Sequence, residues 1–169
     1  MRDERKRQAV EAVRARMTGC EGADLRAACL FWAGHTCDVL CERGLRPVLQ
    51  AGTMMWRFCA PELDDGIGPT HFGYAWEPES LPSLAARAAG RLPEMHVWVG
   101  LPETQEIVDL TTCYLPEQAR AIAGFSWSAP PPPDYLWAPA LPEGAVFEPN
   151  REATLLADRC LRSLKGGTP

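Results

Sequence analysis

A long apolar segment that ends abruptly constrains this fold most strongly. Residues 24–44, DLRAACLFWAGHTCDVLCERG, carry apolar side chains on most sides of a helical wheel. Asp24 is suited to cap the N-terminus of such a helix, and Gly44 is a natural C-terminal stop. A helix that is apolar on most sides must be covered by other elements, so we expect 24–44 to form the central helix of the fold.

Apolar runs separated by turn residues predict a sheet that packs on this helix. We expect a strand at 46–58 and a second at 71–78. Residues 95–101 and 106–111 read as two more strands, and the four residues between them suit a β-hairpin. A central helix followed by strands and a short hairpin predicts an α+β fold, in which the helix packs on an antiparallel sheet.

The whole chain, 1–169, is predicted to form one domain. Its predicted segments are an N-terminal helical segment (1–23, helix 3–17), a core (24–125, with further helices at 80–90 and 116–123), a proline-rich strap (126–150) and a C-terminal helix (151–164). Four consecutive prolines in the strap favour an extended polyproline II conformation.

Composition and charge limit the expected location of the protein and the classes of partner that it is expected to bind. The formal net charge of -5 argues against nucleic acid as the main partner, because phosphate binding requires a basic face. We expect no membrane span, since no run approaches ~20 apolar residues. The charged N-terminus lacks the apolar part of a signal peptide, so we expect a cytoplasmic protein whose seven cysteines are reduced. No CxxC pair, phosphate loop or dinucleotide motif occurs, so we expect no metal and no cofactor.

Three residues carry chemistry that this fold would bring together. Cys29 lies near the start of the central helix, whose partial positive charge favours a thiolate. His96 lies in one predicted strand and Asp109 in the next, and a buried acid between apolar neighbours requires a polar partner. Cross-strand neighbours lie ~5 Å apart, so His96 would be that partner. Cys29, His96 and Asp109 are therefore the candidate catalytic residues, acting as nucleophile, acid–base and orienting carboxylate.

The order of these residues resembles the transglutaminase-like branch of the papain-type cysteine protease fold. The blocks that carry the resemblance are Cys29, Gly44 in CERGL, Gly52 in VLQAG, His96-Val97-Trp98 and Asp109-Leu110-Thr111. They span residues 24–112. The resemblance implies acyl transfer from a peptide or protein amide through a thioester, without a cofactor. Crosslinkers, deamidases, peptidases and inactive proteins all occur in this family.

Other cysteines and histidines are alternatives to these three. Cys20 precedes the central helix and is the rival nucleophile, whereas we interpret Cys37 and Cys41 as packing residues. His35 lies on the central helix, six residues after the candidate nucleophile, and therefore points away from it. His71 begins a predicted strand and is the alternative histidine for the cleft.

Two functions remain open at this point. The first is a thiol enzyme of acyl transfer, for which a water-accessible cleft would favour hydrolysis over transamidation. The second is a catalytically inactive protein- or peptide-binding module on the same fold. In that module the cleft holds a peptide without cutting it, or the proline-rich strap engages a partner through Tyr135 and Trp137. Alkylation of Cys29 separates the two, because a catalytic cysteine reacts faster than a buried structural one.

Overall fold

One long strand organises the sheet, because it pairs with three others. The computed structural model describes residues 3–18, 25–64 and 66–166. Within these ranges the chain forms an α+β fold of five α-helices and a six-stranded antiparallel sheet. The helices are α1 (Asp3–Met17), α2 (Leu25–Glu42), α3 (Leu81–Ala88), α4 (Leu115–Gln118) and α5 (Arg151–Gly166). The strands are β1 (Val48–Arg57), β2 (His71–Tyr74), β3 (His96–Leu101), β4 (Glu106–Asp109), β5 (Leu136–Ala138) and β6 (Ala145–Pro149).

Two strands meet along one edge of β1. The sheet order is β2-β1-β3-β4-β5, and β6 also pairs with β1. Residues 48–52 of β1 pair with β3 and residues 52–56 pair with β6, while β2 takes the opposite edge. β3 and β6 therefore follow one another and meet opposite Gly52. A Cβ at Gly52 would lie 2.1 Å from the carbonyl oxygen of Glu148, so only glycine fits at this junction.

Hydrophobic side chains fill both faces of the sheet. Val97, Val99 and Leu101 of β3 lie on the face that α2 covers, together with buried residues of α1 and α5. Trp98 lies on the other face in a second, largely aromatic cluster. Burial of each large apolar side chain contributes about 1.5–3 kcal/mol, and burial on both faces fixes the register of β3.

The predicted α+β class and antiparallel sheet are confirmed. β3 and β4 form the predicted hairpin, with Val99 opposite Val108. The helix predicted at 80–90 forms α3, where the Ser80 hydroxyl accepts a hydrogen bond from the Ser83 N–H as an N-cap. Asp24, the predicted cap of α2, lies outside the described residues.

Three segments differ from the predictions. The proline-rich strap contains β5 and β6, which are too short and too rich in flanking proline to be detected by pattern. Residues 119–123 form a π-helical turn that ends at Gly124 in the left-handed conformation. The strand predicted at 106–111 ends at Asp109, because the Thr111 N–H donates to the Asp109 carboxylate instead of to a neighbouring strand.

Candidate active site

The three candidate residues lie at one end of the sheet. His96 is the first residue of β3 and Asp109 is the last residue of β4. Because these strands are antiparallel neighbours, both residues lie at the same end of the pair. Cys29 lies in the second turn of α2, and its side chain belongs to the cluster between α2 and β3.

His96 and Asp109 form a buried hydrogen-bonded pair. His96 Nε2–H donates to Asp109 Oδ2 at 2.7 Å, and both side chains are 2% exposed. The pairing of Val99 with Val108, extended by one residue, sets Trp98 opposite Asp109. His96 is therefore a diagonal neighbour of Asp109 on the same face, within hydrogen-bond reach although not directly opposite.

Thr111 holds the Asp109 carboxylate in place. The backbone N–H of Thr111 donates to Asp109 Oδ1 at 2.8 Å, and the Thr111 hydroxyl donates to the same oxygen at 2.7 Å. One carboxylate oxygen therefore serves Thr111, and the other remains for His96. This division fixes the carboxylate plane relative to the imidazole.

The pair is charged at neutral pH. Burial alone lowers the pKa of His96, but the charge and hydrogen bond of Asp109, with a contribution from Cys29, raise it to about 10. Burial alone raises the pKa of Asp109, yet the charge of His96 and hydrogen bonds from His96 and Thr111 hold it below its usual range. An imidazolium and a carboxylate thus stabilise each other in a site with little water.

Cys29 is a further neighbour of the His96 ring. Its side chain lies close enough to the imidazole to contribute to the raised pKa of His96. The buried Nδ1 atom of His96 makes no hydrogen bond of good geometry within the described residues. Hydrogen bonds of catalytic groups are often poorly aligned before substrate binds, so this geometry does not exclude Cys29 and His96 as a catalytic pair.

Aromatic rings surround the imidazole. The His96 ring stacks on Tyr74, with centroids 5.9 Å apart and an interplanar angle of 9°. Trp98 lies almost parallel to the ring at 6.1 Å, and the Phe147 ring is inclined at 72° to the imidazole with centroids 6.1 Å apart. The Tyr74 hydroxyl donates to Gln118 Oε1 at 3.1 Å, which holds the stacked ring in place. Faces of aromatic rings attract cations, so the stacked Tyr74 ring favours the imidazolium form.

The site has little access to solvent. Cys29 is 9% exposed and lies at the edge of the buried class, whereas His96 and Asp109 are more deeply buried. The water-accessible cleft that would favour hydrolysis is therefore not present at these side chains in this structure.

The other cysteines have different environments. Cys20 lies outside the described residues. Cys37 is half-buried and packs against the core, and burial raises the pKa of its thiol to about 12. Cys41 is exposed, so its interpretation as a packing residue is wrong. It lies one turn beyond Cys37, on the flank of the buried stripe of α2.

Neither alternative histidine joins the site. His35 is half-buried on α2, and burial lowers its pKa. His71 lies opposite Arg57, five residues along β1 from the position opposite His96, which corresponds to about 17 Å of strand. The His71 ring instead forms a 2.9 Å hydrogen bond with the hydroxyl of Thr70.

Sequence reasoning missed Tyr74 and Gln118. No local pattern distinguishes Tyr74 from other strand aromatics, since its contact with His96 depends on the pairing of β2 and β3 with opposite edges of β1. Trp137 of the proline-rich strap is buried beside Lys6, which favours a strap packed across its own domain over one that offers this ring to a partner.

Comparisons with protein-family models, with curated proteins and with solved structures found no match.

The described residues contain no group of three or more His, Cys, Asp or Glu side chains arranged to hold a metal ion. Among the same residues, no helix has the length and apolar character required to cross a membrane.

Proposed function

We propose that this protein is a thiol-dependent acyl-transfer enzyme of transglutaminase-like type, acting on a peptide or protein amide. The observation that carries the proposal is the His96 ring, which hydrogen-bonds Asp109 through Nε2 and has Cys29 near enough to contribute to its raised pKa. Nucleophilic catalysis by a thiol requires three groups in this order: a cysteine, an acid–base group and a carboxylate that orients it.

The geometry supports a two-step reaction. The Cys29 thiolate attacks the amide carbonyl carbon, and the His96 Nδ1–H gives its proton to the leaving amine as the carbon–nitrogen bond breaks. The product is a thioester on Cys29. Nδ1 then accepts a proton from water or from a second amine as that molecule attacks the thioester. Asp109 keeps Nε2 protonated throughout, so that Nδ1 is the nitrogen that exchanges protons.

The fold adds support for the family. A helix that bears the cysteine packs on an antiparallel sheet, and the histidine and aspartate lie on adjacent strands. Gly52, which belongs to the pattern of the resemblance, lies directly opposite His96 in the β1–β3 register. A free catalytic thiol requires a reducing environment, so we place this function in the cytoplasm.

The burial of the three residues favours one other candidate, a catalytically inactive peptide-binding module. Such a module would keep the His96–Asp109 pair as a structural ion pair and would not use Cys29 as a nucleophile. Hydrolysis and transamidation are equally compatible with the site, because the low exposure of Cys29, His96 and Asp109 does not select between them.

Acylation by an activated ester tests the proposal. We expect p-nitrophenyl acetate to give a burst of p-nitrophenolate and an acetyl thioester, which peptide mapping by mass spectrometry should locate on Cys29. Cys29→Ser should abolish the burst, and Cys41→Ser should leave it intact, since Cys41 is the exposed control thiol. Preferential acetylation of Cys41 would contradict the enzyme and favour the binding module.

A further inference from the structure

A cavity lies at the end of the β3–β4 hairpin opposite the candidate active site. Its volume is about 500 Å³, which falls within the range of small-molecule sites. Leu101 and Glu106 line it, and these are the last residue of β3 and the first of β4. About 17 Å of strand separates Leu101 from His96, so the cavity is distinct from the candidate active site.

Arginines from two regions converge on this cavity. Arg5 belongs to α1, whereas Arg43 and Arg46 lie in the segment between α2 and β1. In the part of the chain that the structure describes, neither Arg5 nor Arg43 has a carboxylate within 4.0 Å. Arg46 approaches Glu103 at 3.7 Å, but both side chains are largely exposed, so this pair is weak.

The buried carboxylate of the cavity is already neutralised. Lys6 Nζ donates to Glu106 Oε1 at 2.6 Å, and the Thr104 hydroxyl donates to Oε2 at 2.7 Å. Although burial alone raises the pKa of Glu106, the hydrogen bonds from Lys6 and Thr104 hold it below its usual range. The charges of Glu106 and Lys6 therefore cancel. The three arginines of the lining then exceed the one remaining acid, Glu103, by two positive charges. A local positive excess is notable in a chain of net charge -5.

Two backbone carbonyl groups hold the Arg43 guanidinium in place. Its Nη1 donates to the carbonyl oxygen of Val39 at 3.2 Å, and its Nη2 donates to the carbonyl oxygen of Gln8 at 3.3 Å. These bonds fix the guanidinium between α1 and α2, yet they use only part of its N–H groups. A guanidinium fixed in this way loses less side-chain entropy when it binds an anion.

The remaining surface of the cavity is apolar. Leu101 is buried and Leu45 is half-buried, and both line the cavity beside the arginines. An inorganic anion would leave this apolar surface in contact with water. We propose that the cavity binds a small organic phosphate, with the phosphate held by Arg5 and Arg43 and the apolar part against Leu45 and Leu101.

Titration with matched small molecules tests this site. Phenyl phosphate supplies both chemical parts, inorganic phosphate lacks the ring, benzoate carries a single charge, and phenol is neutral. At pH 7.5, where the phosphate is mostly dianionic, we expect phenyl phosphate to bind most tightly. Saturable shifts of the Leu45 and Leu101 methyl resonances, measured by NMR, should accompany that binding.

Two variants and one control locate the binding. Arg5→Gln and Arg43→Gln should each weaken phenyl phosphate binding about tenfold, because each removes a charge-assisted hydrogen bond. Arg5→Gln also guards against a folding artefact, since Arg5 is exposed and its loss disturbs none of the Arg43 contacts. Arg120→Gln, on an exposed arginine outside the cavity lining, should bind as the wild type does.

The site assignment is independent of the proposed acyl transfer, since a Cys29→Ser variant should bind phenyl phosphate normally. Wild-type affinity in both Arg5→Gln and Arg43→Gln would overturn the assignment. Equal binding of benzoate and phenyl phosphate, or the absence of saturable shifts at Leu45 and Leu101, would overturn it as well.

Discussion

His96 Nε2–H donates a 2.7 Å hydrogen bond to Asp109 Oδ2 between neighbouring strands, and both side chains are 2% exposed. Two opposite charges at this depth are stable only because each satisfies the other and because Thr111 occupies the second carboxylate oxygen. Asp109 thus orients the imidazole, and we expect this orientation to affect Cys29 through the other ring nitrogen, Nδ1.

Asp109→Asn tests the orienting role. The Asn carbonyl can still accept both bonds from Thr111, but its NH₂ would face His96 Nε2. The imidazole must then carry its proton on Nδ1 in the neutral form, which is the wrong tautomer for a base. We expect ester turnover to fall by about 10²–10⁴-fold, and the free energy of unfolding to fall by about 1–3 kcal/mol. Unchanged turnover in a folded variant would remove Asp109 from the mechanism.

The pair also predicts how stability depends on pH. The folded-state pKa of His96, about 10, exceeds its ordinary value of 6.5. Its stabilisation is therefore fully present below pH 6.5 and is lost as the pH rises toward 10. Asp109 behaves oppositely, because its lowered pKa gives stabilisation above pH 3.8 that is lost as the pH falls.

Denaturant unfolding between pH 7 and 9 measures this effect. The free energy of unfolding should fall more steeply in the wild type than in Asp109→Asn, by up to about 1.4 kcal/mol per pH unit. The variant serves as the control for all other titrating groups. Parallel pH profiles for the two proteins would show that His96 is not held in its charged form.

Tyr74 is expected to act through the imidazole on which it stacks. Tyr74→Leu removes the ring face, so the pKa of His96 should fall by up to about one unit, as expected from a cation–π energy of about 1 kcal/mol. Tyr74→Phe keeps the stack and removes the hydroxyl with its hydrogen bond to Gln118, so it should lower stability with a smaller change in that pKa. NMR titration of the His96 ring distinguishes the two outcomes. Equal pKa values in both variants would reduce Tyr74 to a packing residue.

Gly52 is predicted to position His96 through the backbone. In Gly52→Ala the new Cβ would meet Glu148 O at 2.1 Å and Asn150 N at 2.9 Å, so β1 or β6 must move. We expect a loss of about 1–3 kcal/mol or more, together with reduced Cys29 reactivity. Gly44→Ala is the control for backbone strain without a clash, since Gly44 has a left-handed φ of 75° and nothing within 4 Å of its Cβ position. Similar losses of stability and of Cys29 reactivity in both variants would contradict this positioning role of Gly52.

Much of the fold follows from local sequence, whereas much of the site does not. The apolar segment that ends at Gly44 and the four-residue hairpin linker act over short distances, so periodicity and turn chemistry are sufficient to predict them. The strand Ala145–Pro149 was missed, because its pairing with β1 depends on contacts distant in sequence. The diagonal offset between His96 and Asp109 depends on sheet register, which the sequence does not state.

Alkylation of Cys29 by iodoacetamide at neutral pH tests the central claim most directly. Peptide mapping follows Cys20, Cys29 and Cys41 in the same molecules, so exposed Cys41 is an internal reference. We predict that Cys29 reacts faster than Cys41 despite its 9% exposure, because His96 lies close enough to Cys29 to act on the thiol as it reacts.

The two His96 variants complete the measurement. His96→Gln retains a donor for Asp109, and His96→Ala does not. Both should slow alkylation of Cys29 by on the order of tenfold or more and leave Cys41 unchanged. Faster labelling of Cys20 or Cys41 than of Cys29, with no effect of either His96 substitution, would contradict the account.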